Sequence, residues 1–270
     1  MRIMWDYFEK RRKMNIILIT GASSGIGREF AIQMDKYFSG IDEFWLAARN
    51  RKRLKELAGK LKHRSRLFAM DITNTENLAL LEAEAFRHNI TLRMLINCAG
   101  YGIMGDFCGQ DRESELGMIR LNCQALTELT HRMIPYMRRG SRILQMASSA
   151  AFLPQPDFAV YAATKAYVLS FSRALGEELK EAGIYVTSIC PGPVDTPFFE
   201  IAEKSGSTLA VKKYAMVSAQ RVVALALRDS ALRRSMSVCG LPMKSFLVLS
   251  KILPHGILLK AAELMKERGM

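Results

Sequence analysis

The chain has 270 residues, 49% hydrophobic and 24% charged, an ordinary balance for one large α/β domain. No run approaches the roughly 18 uninterrupted apolar residues of a membrane-spanning helix, and the first residues lack the apolar core of a secretory signal. An excess of 39 Lys and Arg over 26 Asp and Glu leaves +13 at neutral pH, which admits an anionic cofactor, an anionic lipid surface or nucleic acid as partners.

The five cysteines, Cys98, Cys108, Cys123, Cys190 and Cys239, form no C-x-x-C pair, and the four histidines show no ligand spacing near them. That pattern reads as reduced, buried thiols in a cytoplasmic protein, with no metal site expected.

In chain order, residues 1–13 read as a basic, amphipathic N-terminal extension, and Met14 opens the first strand. From there to about residue 190, short Ile/Val/Leu-rich runs alternate with longer amphipathic segments. This is the pattern of a doubly wound parallel sheet with helices on both faces. Strands are expected at Asn15–Thr20, Glu43–Ala47, Arg66–Ala69, Met94–Asn97, Ser141–Ala147, Ile184–Cys190 and Ser235–Gly240. Helices are expected at Ile26–Tyr37, Arg51–Leu61, Thr75–His88, Glu113–Arg138 and Tyr161–Ala182. Seven strands make a complete sheet, and right-handed crossovers put the ligand crevice at their carboxyl ends. Residues 14–240 are read as one catalytic domain, with a lid near 196–216 where the alternation stops. Residues 241–270 form an apolar and basic C-terminal segment suited to packing on the domain, to a subunit interface or to peripheral membrane contact.

The first strand runs into Thr20-Gly21-Ala22-Ser23-Ser24-Gly25-Ile26-Gly27 and then directly into a helix. Glycines at such a turn permit positive φ and close approach of a pyrophosphate, while the helix N-terminus supplies amides and a favourable dipole. The spacing is G-x-x-x-G-x-G, not the G-x-G-x-x-G fingerprint. The second strand ends at Ala47-Ala48-Arg49-Asn50. A binder of a ribose 2′-hydroxyl carries Asp or Glu there; a cation in its place favours a 2′-phosphate, hence NADP(H) over NAD(H). Residues 49–66 hold nine Lys/Arg against one Glu, of which only Arg49 is singled out; the others read as a solvated face. Asp71, after the third strand, suits an acceptor for an adenine amino group, a helix cap, or both.

Tyr161 and Lys165, four apart on a helix, share one face about 6 Å apart along its axis. A phenol titrates near 10, and an adjacent ammonium lowers that value toward useful acid–base chemistry. Asn122, mid-helix where Asn is intrinsically poor, points to a polar role.

Across about residues 14–200 the chain resembles the short-chain dehydrogenase/reductase (SDR) family. The resemblance rests on ordered motifs: T-G-x-x-x-G-x-G, Asp71, Asn97-Cys98-Ala99-Gly100, Asn122, Ser148, Tyr161 with Lys165, Pro191-Gly192 and Thr196. Family members usually carry Asn where Cys98 stands. The resemblance implies a Rossmann-type fold and a metal-free NADP(H)-dependent oxidoreductase acting on a ketone or secondary alcohol. It implies that Asn97, Ala99 and Gly100 close the adenosine side with Ile72 nearby, and that Asn122 holds a water in a relay to Lys165. Ser148 would position the substrate carbonyl, and Pro191, Gly192, Val194 and Thr196 would receive the nicotinamide. It further implies a homodimer or homotetramer through the two long helices, of which the second also carries Val168, Leu169, Phe171, Leu175 and Leu179.

Phe152, Leu153, Pro154, Pro156, Phe158, Phe198 and Phe199 near the expected crevice point to an apolar substrate, such as a sterol-like ketone or a 3-oxoacyl compound. A cofactor-binding regulatory protein without turnover is the alternative, disfavoured by the complete set Asn122, Ser148, Tyr161 and Lys165. A membrane-surface or nucleic-acid binder is a second. No interleaving of aromatic and basic residues supports stacking on bases, so no nucleic acid is expected.

Overall fold

The computed structural model of the chain describes residues 13–203 and 216–260. Residues 1–12 of the N-terminal extension, 204–215 of the lid and 261–270 lie outside the described residues. Strands β1 (Met14–Thr20), β2 (Glu43–Ala48), β3 (Arg64–Ala69), β4 (Ile90–Asn97), β5 (Arg142–Met146), β6 (Tyr185–Ile189) and β9 (Met236–Ser237) form one parallel sheet. Its order is β3-β2-β1-β4-β5-β6-β9. A short parallel pair, β7 (Val194–Asp195) with β8 (Val217–Ser218), brackets the lid, near whose start lies the short helix α6 (Phe198–Ala202).

Strand β1 explains the layering. Its residues alternate across the sheet, so Ile17 and Ile19 face one core and Ile16 and Leu18 the other, all fully buried. The first core is closed by helices α1 (Gly25–Tyr37), α2 (Arg51–Ala58) and α7 (Ala219–Ala231), through Phe30, Met34, Leu54, Leu57, Val222 and Val223. The second is closed by α3 (Thr75–Arg87), α4 (Arg112–Met133, including a π-helical stretch) and α5 (Ala159–Glu178), through Leu78, Leu81, Leu129, Met133 and Leu175. Each such side chain contributes about 1.5–3 kcal/mol relative to exposure.

Two elements depart from the expected boundaries for identifiable reasons. Strand β4 begins four residues early, at Ile90. Ile16 pairs with Leu92 and Ile17 with Met94, so the exposed Arg93 is an extra residue that breaks the alternation a reader of the sequence relies on. The long helix expected at Glu113–Arg138 is α-helical over Arg112–Ile119, π-helical over Arg120–Ala125, and α-helical again over Leu126–Met133. A π turn marks places where side-chain direction is reset, and this one contains Asn122.

The apolar residues of α5 are largely used within the chain. Val168 is fully buried and Leu175 nearly so, while Leu169, Phe171 and Leu179 pack against the same cores. What α4 and α5 leave exposed is Leu116, Ile119 and Tyr167. The thiols differ from the expectation too: Cys190 and Cys239 are buried, Cys98 and Cys123 partly so, and Cys108 is exposed.

Candidate active site

The carboxyl ends of the strands open onto a cleft of about 1170 Å³. Its floor is the turn after β1. Gly21 has φ +65°, and a Cβ there would stand 2.8 Å from the Ala99 backbone nitrogen. A Cβ on Gly27 would collide with the Gly21 carbonyl oxygen. Both positions therefore require glycine, one for conformation and one for space. Ser24 occupies the N-cap of α1 without a side-chain cap hydrogen bond, so the helix-start amides are left for another acceptor. The Thr20 hydroxyl oxygen accepts from the backbone N–H groups of Cys98 (3.2 Å) and Ala99 (3.1 Å), holding the loop after β4 against this turn.

Gly21, Ser23, Ser24, Gly25, Ile26, Gly27, Arg49, Asp71, Ile72, Ala99, Gly100, Pro191, Gly192, Val194 and Thr196 all line the cleft. Asn97 does not. Its side chain is 2% exposed and turns into the core, donating to Thr130 Oγ1 (3.0 Å) and Gln145 Oε1 (2.9 Å). Successive strand residues point to opposite faces, so Asn97 at the end of β4 supports the loop from beneath.

Arg49 is exposed at the end of β2. Its guanidinium lies close enough to influence both Asp71 and Tyr101. Burial alone would raise the Asp71 carboxyl, but hydrogen bonds from the Thr73 N–H and hydroxyl, with Arg49, hold it below the usual range. Asp71 Oδ1 accepts from Thr73 N at 2.9 Å and from Thr73 Oγ1 at 2.7 Å. The cap of α3 is Asn74, whose side chain accepts from Glu76 N, so Asp71 forms a turn and is not the helix cap.

The reacting end of the cleft holds Tyr161, Lys165 and Ser148. Lys165 Nζ donates to the Met146 carbonyl (2.8 Å) and lies 5.5 Å from the centre of the Tyr161 ring. Burial pushes the Lys165 ammonium down to about 8, partly offset by the thiols of Cys123, Cys98 and Cys190. Burial also pushes the Tyr161 phenol up to about 12, against a hydrogen bond with Ser148 that lowers it. The lowering of the phenol expected from its lysine does not set the direction here: burial does, and the Lys165 ammonium is directed at the Met146 carbonyl. Phe158 stacks on Tyr161 at 4.2 Å and Phe198 lies at 5.5 Å, which is why the phenol is so dry.

These shifts carry a pH expectation for carbonyl reduction. The phenol keeps its proton to about pH 12, while Lys165 loses its charge as pH rises through about 8. Turnover in the reductive direction should be level near pH 7 and fall roughly tenfold per unit well above pH 8. A kcat profile that stays level through pH 10 would contradict this role for Lys165.

Asn122 is 1% exposed and lies just behind the cleft wall. Its Nδ2 donates to the Tyr101 carbonyl (2.9 Å) and to Thr164 Oγ1 (3.0 Å), and its Oδ1 accepts from Tyr101 N (3.2 Å). It therefore ties the loop after β4 to the helix that carries Tyr161 and Lys165. A Cβ on Gly100 would stand 2.9 Å from Asn122 Oδ1 and 3.5 Å from Lys165 Nζ, so the two side chains converge on that glycine.

Of the aromatic and apolar residues expected along the crevice, Phe158, Phe198 and Phe199 line it. Phe152 and Leu153 are buried behind it, and Pro154 and Pro156 face away as exposed residues. Sequence reasoning missed Tyr101 and, from the C-terminal segment, Met243 and Phe246, all of which line the cleft, and it gave no role to the Thr20 hydroxyl that holds the loop after β4. Met243 and Phe246 lie on helix α8 (Leu241–Ile252). The i, i+3 spacing of these two residues is the signal that could have placed them on one inward face.

The short chain dehydrogenase family model matches residues 15–205, and the chain belongs to that family of oxidoreductases. It is 32% identical over 190 residues to an uncharacterized oxidoreductase of Staphylococcus epidermidis, covering 70% of this chain and 81% of that protein. It is 30% identical over 177 residues to a very-long-chain 3-oxoacyl-CoA reductase of Laccaria bicolor; that match covers 63% of this chain and spans about half, 52%, of the relative. Among solved structures, a short-chain dehydrogenase from Sphingobium yanoikuyae in complex with NADPH superposes with a TM-score of 0.74. The two are 30% identical, and the match covers 84% of this chain and 89% of that one.

Proposed function

We propose that this protein reduces the carbonyl of an apolar ketone or 3-oxoacyl compound, reversibly, with NADP(H). The observation that carries the reading is the convergence in one cleft of the Tyr161 phenol, the Ser148 hydroxyl and the Lys165 ammonium with a glycine turn at an uncapped helix N-terminus. The turn fits a dinucleotide: Gly21 and Gly27 leave a cradle that a Cβ would fill, and the start of α1 offers amides to a pyrophosphate. Gly21, Ser24 and Gly27 would hold the phosphates, Asp71 and Ile72 the adenine side, and Pro191 to Thr196 the nicotinamide side. A bound nicotinamide supplies the hydride. Within the chain, Ser148 holds the carbonyl oxygen, Tyr161 gives that oxygen its proton, and Lys165 supplies positive charge beside the phenol. Asn122 positions Lys165 through Thr164 and the Tyr101 loop. The direct test is oxidation of NADPH by the full chain with a panel of ketones and 3-oxoacyl thioesters; no turnover with any of them would reject the reading.

Preference for NADP(H) rests on Arg49, which stands at the cleft edge where an acid would serve a 2′-hydroxyl. Hydrogen bonds to a charged group contribute about 1.5–3 kcal/mol. Arg49→Asp is therefore expected to raise KM for NADPH by about 10- to 100-fold while KM for NADH changes little. Equal changes for the two cofactors would show that Arg49 does not read the phosphate. The apolar substrate class is supported by Phe158, Phe198, Phe199 and Phe246 around the reacting end.

A homodimer or homotetramer in the cytoplasm completes the proposal, with α4 and α5 as the contact and Leu116, Ile119 and Tyr167 as the residues left to make it. Light scattering at micromolar concentration should give a multiple of the chain mass, and a single-chain mass would contradict it.

A further inference from the structure

The surface beside α8 combines two features that the chemistry of the cleft does not use. Between α7 and α8 runs a groove of about 420 Å³ whose lining includes Arg221, Arg228 and Lys244. All three are exposed, and none is paired with a carboxylate among the described residues. Leu241 forms the edge of the same groove and is 79% exposed. Helical spacing continues that edge into a stripe: Leu241, Lys244, Val248 and Ile252 lie on one outward face, with Val248 53% and Ile252 71% exposed. The opposite face is the one that packs, through Met243, Phe246 and Ser250. Residues 230–260 contain five Lys or Arg and no Asp or Glu.

We infer that the outer face of α8 and the adjoining cationic groove dock the chain on the surface of an anionic phospholipid membrane. The aliphatic stripe enters the boundary between headgroups and acyl chains, and lipid phosphates enter the groove. Three candidate occupants separate on charge and on apolar area. In a two-fold contact between copies of this chain the same patch would meet itself, bringing like charges together. Nucleic acid would satisfy the cations and leave the aliphatic stripe in water. An anionic lipid surface satisfies both. No helix among the described residues is long and apolar enough to cross a membrane, so the contact is peripheral. It is independent of the reaction proposed above, although Met243 and Phe246 place the cleft on the other side of the same helix.

The test uses the full chain with vesicles of phosphatidylcholine alone and of phosphatidylcholine mixed equally with phosphatidylglycerol. Three cations near the surface should favour the mixed vesicles by about a hundredfold at low salt, given about fivefold per cation. The pairs Val248→Asp with Ile252→Asp, and Arg221→Glu with Lys244→Glu, should each weaken sedimentation with mixed vesicles by about tenfold or more, with NADPH-dependent turnover retained. In Ile252→Trp, tryptophan emission should move to the blue only with mixed vesicles, a readout that survives should either pair fail to fold. Absence of binding, equal binding to both lipids, or binding that survives both pairs with unmoved Ile252→Trp emission overturns the inference. A change in light-scattering mass in place of vesicle binding assigns the face to a second copy and overturns it as well.

Discussion

Tyr161→Phe is expected to lower kcat for ketone reduction by about 10²- to 10⁴-fold, the range a positioned proton donor contributes. The substitution removes one oxygen from a ring that keeps its stacking against Phe158 and its contact with Phe198. Fold and dinucleotide affinity should therefore hold, and the loss should fall on kcat with little change in the Kd for NADPH, measured by fluorescence titration. Because the phenol is held up to about 12, it stays protonated as a donor at the reacting end through the alkaline range, where the Lys165 ammonium, pushed down to about 8, does not. Activity within tenfold of the parent would mean that the proton comes from solvent or from Lys165, and the proposed chemistry would fail.

The second large effect separates adjacent serines. Ser148 is hydrogen-bonded to Tyr161, and its Oγ also accepts from Ala150 N at 3.1 Å as it caps the short turn Ser149–Phe152. Ser149 is held instead through its backbone N–H, which donates to the Pro191 carbonyl at 2.8 Å. Removing one donor to a developing oxyanion costs about a hundredfold or more in turnover. Ser148→Ala should show that loss with NADPH binding retained, while Ser149→Ala should stay within about threefold of the parent. The opposite ranking would move the carbonyl-holding role to Ser149. Two mild effects would leave Tyr161 as the only donor to the substrate oxygen.

The catalytic pair was legible because Tyr161 and Lys165 are separated by one helical turn, and a helix face follows from spacing alone. The glycine turn was legible for a similar reason: Gly21, Gly25 and Gly27 sit where a strand meets a helix, and the order of local elements is carried by hydrophobic periodicity. Periodicity misled where one residue broke it, as Arg93 does in β4. It was silent about Asn97, because a two-residue period says that neighbours face opposite ways without saying which face is the cleft.

What the amino-acid sequence determined by itself was therefore the alternation of strands and helices, the family, the turn that suits a dinucleotide and the helix that carries the acid–base pair. Each depends on residues within a few positions of one another. Only the tertiary structure decided the properties that arise from distant segments meeting. Burial by Phe158 and Phe198 makes the phenol harder to ionise, against the expectation from its lysine alone. Asn122, within a π-helical stretch, reaches Tyr101 on the loop after β4 and Thr164 on α5, both far from it in the chain. The C-terminal segment, open to three readings as a string of letters, has one face of α8 on the cleft through Met243 and Phe246 and the other in water. Solvation and long-range contact set these outcomes, and neither is encoded in local spacing.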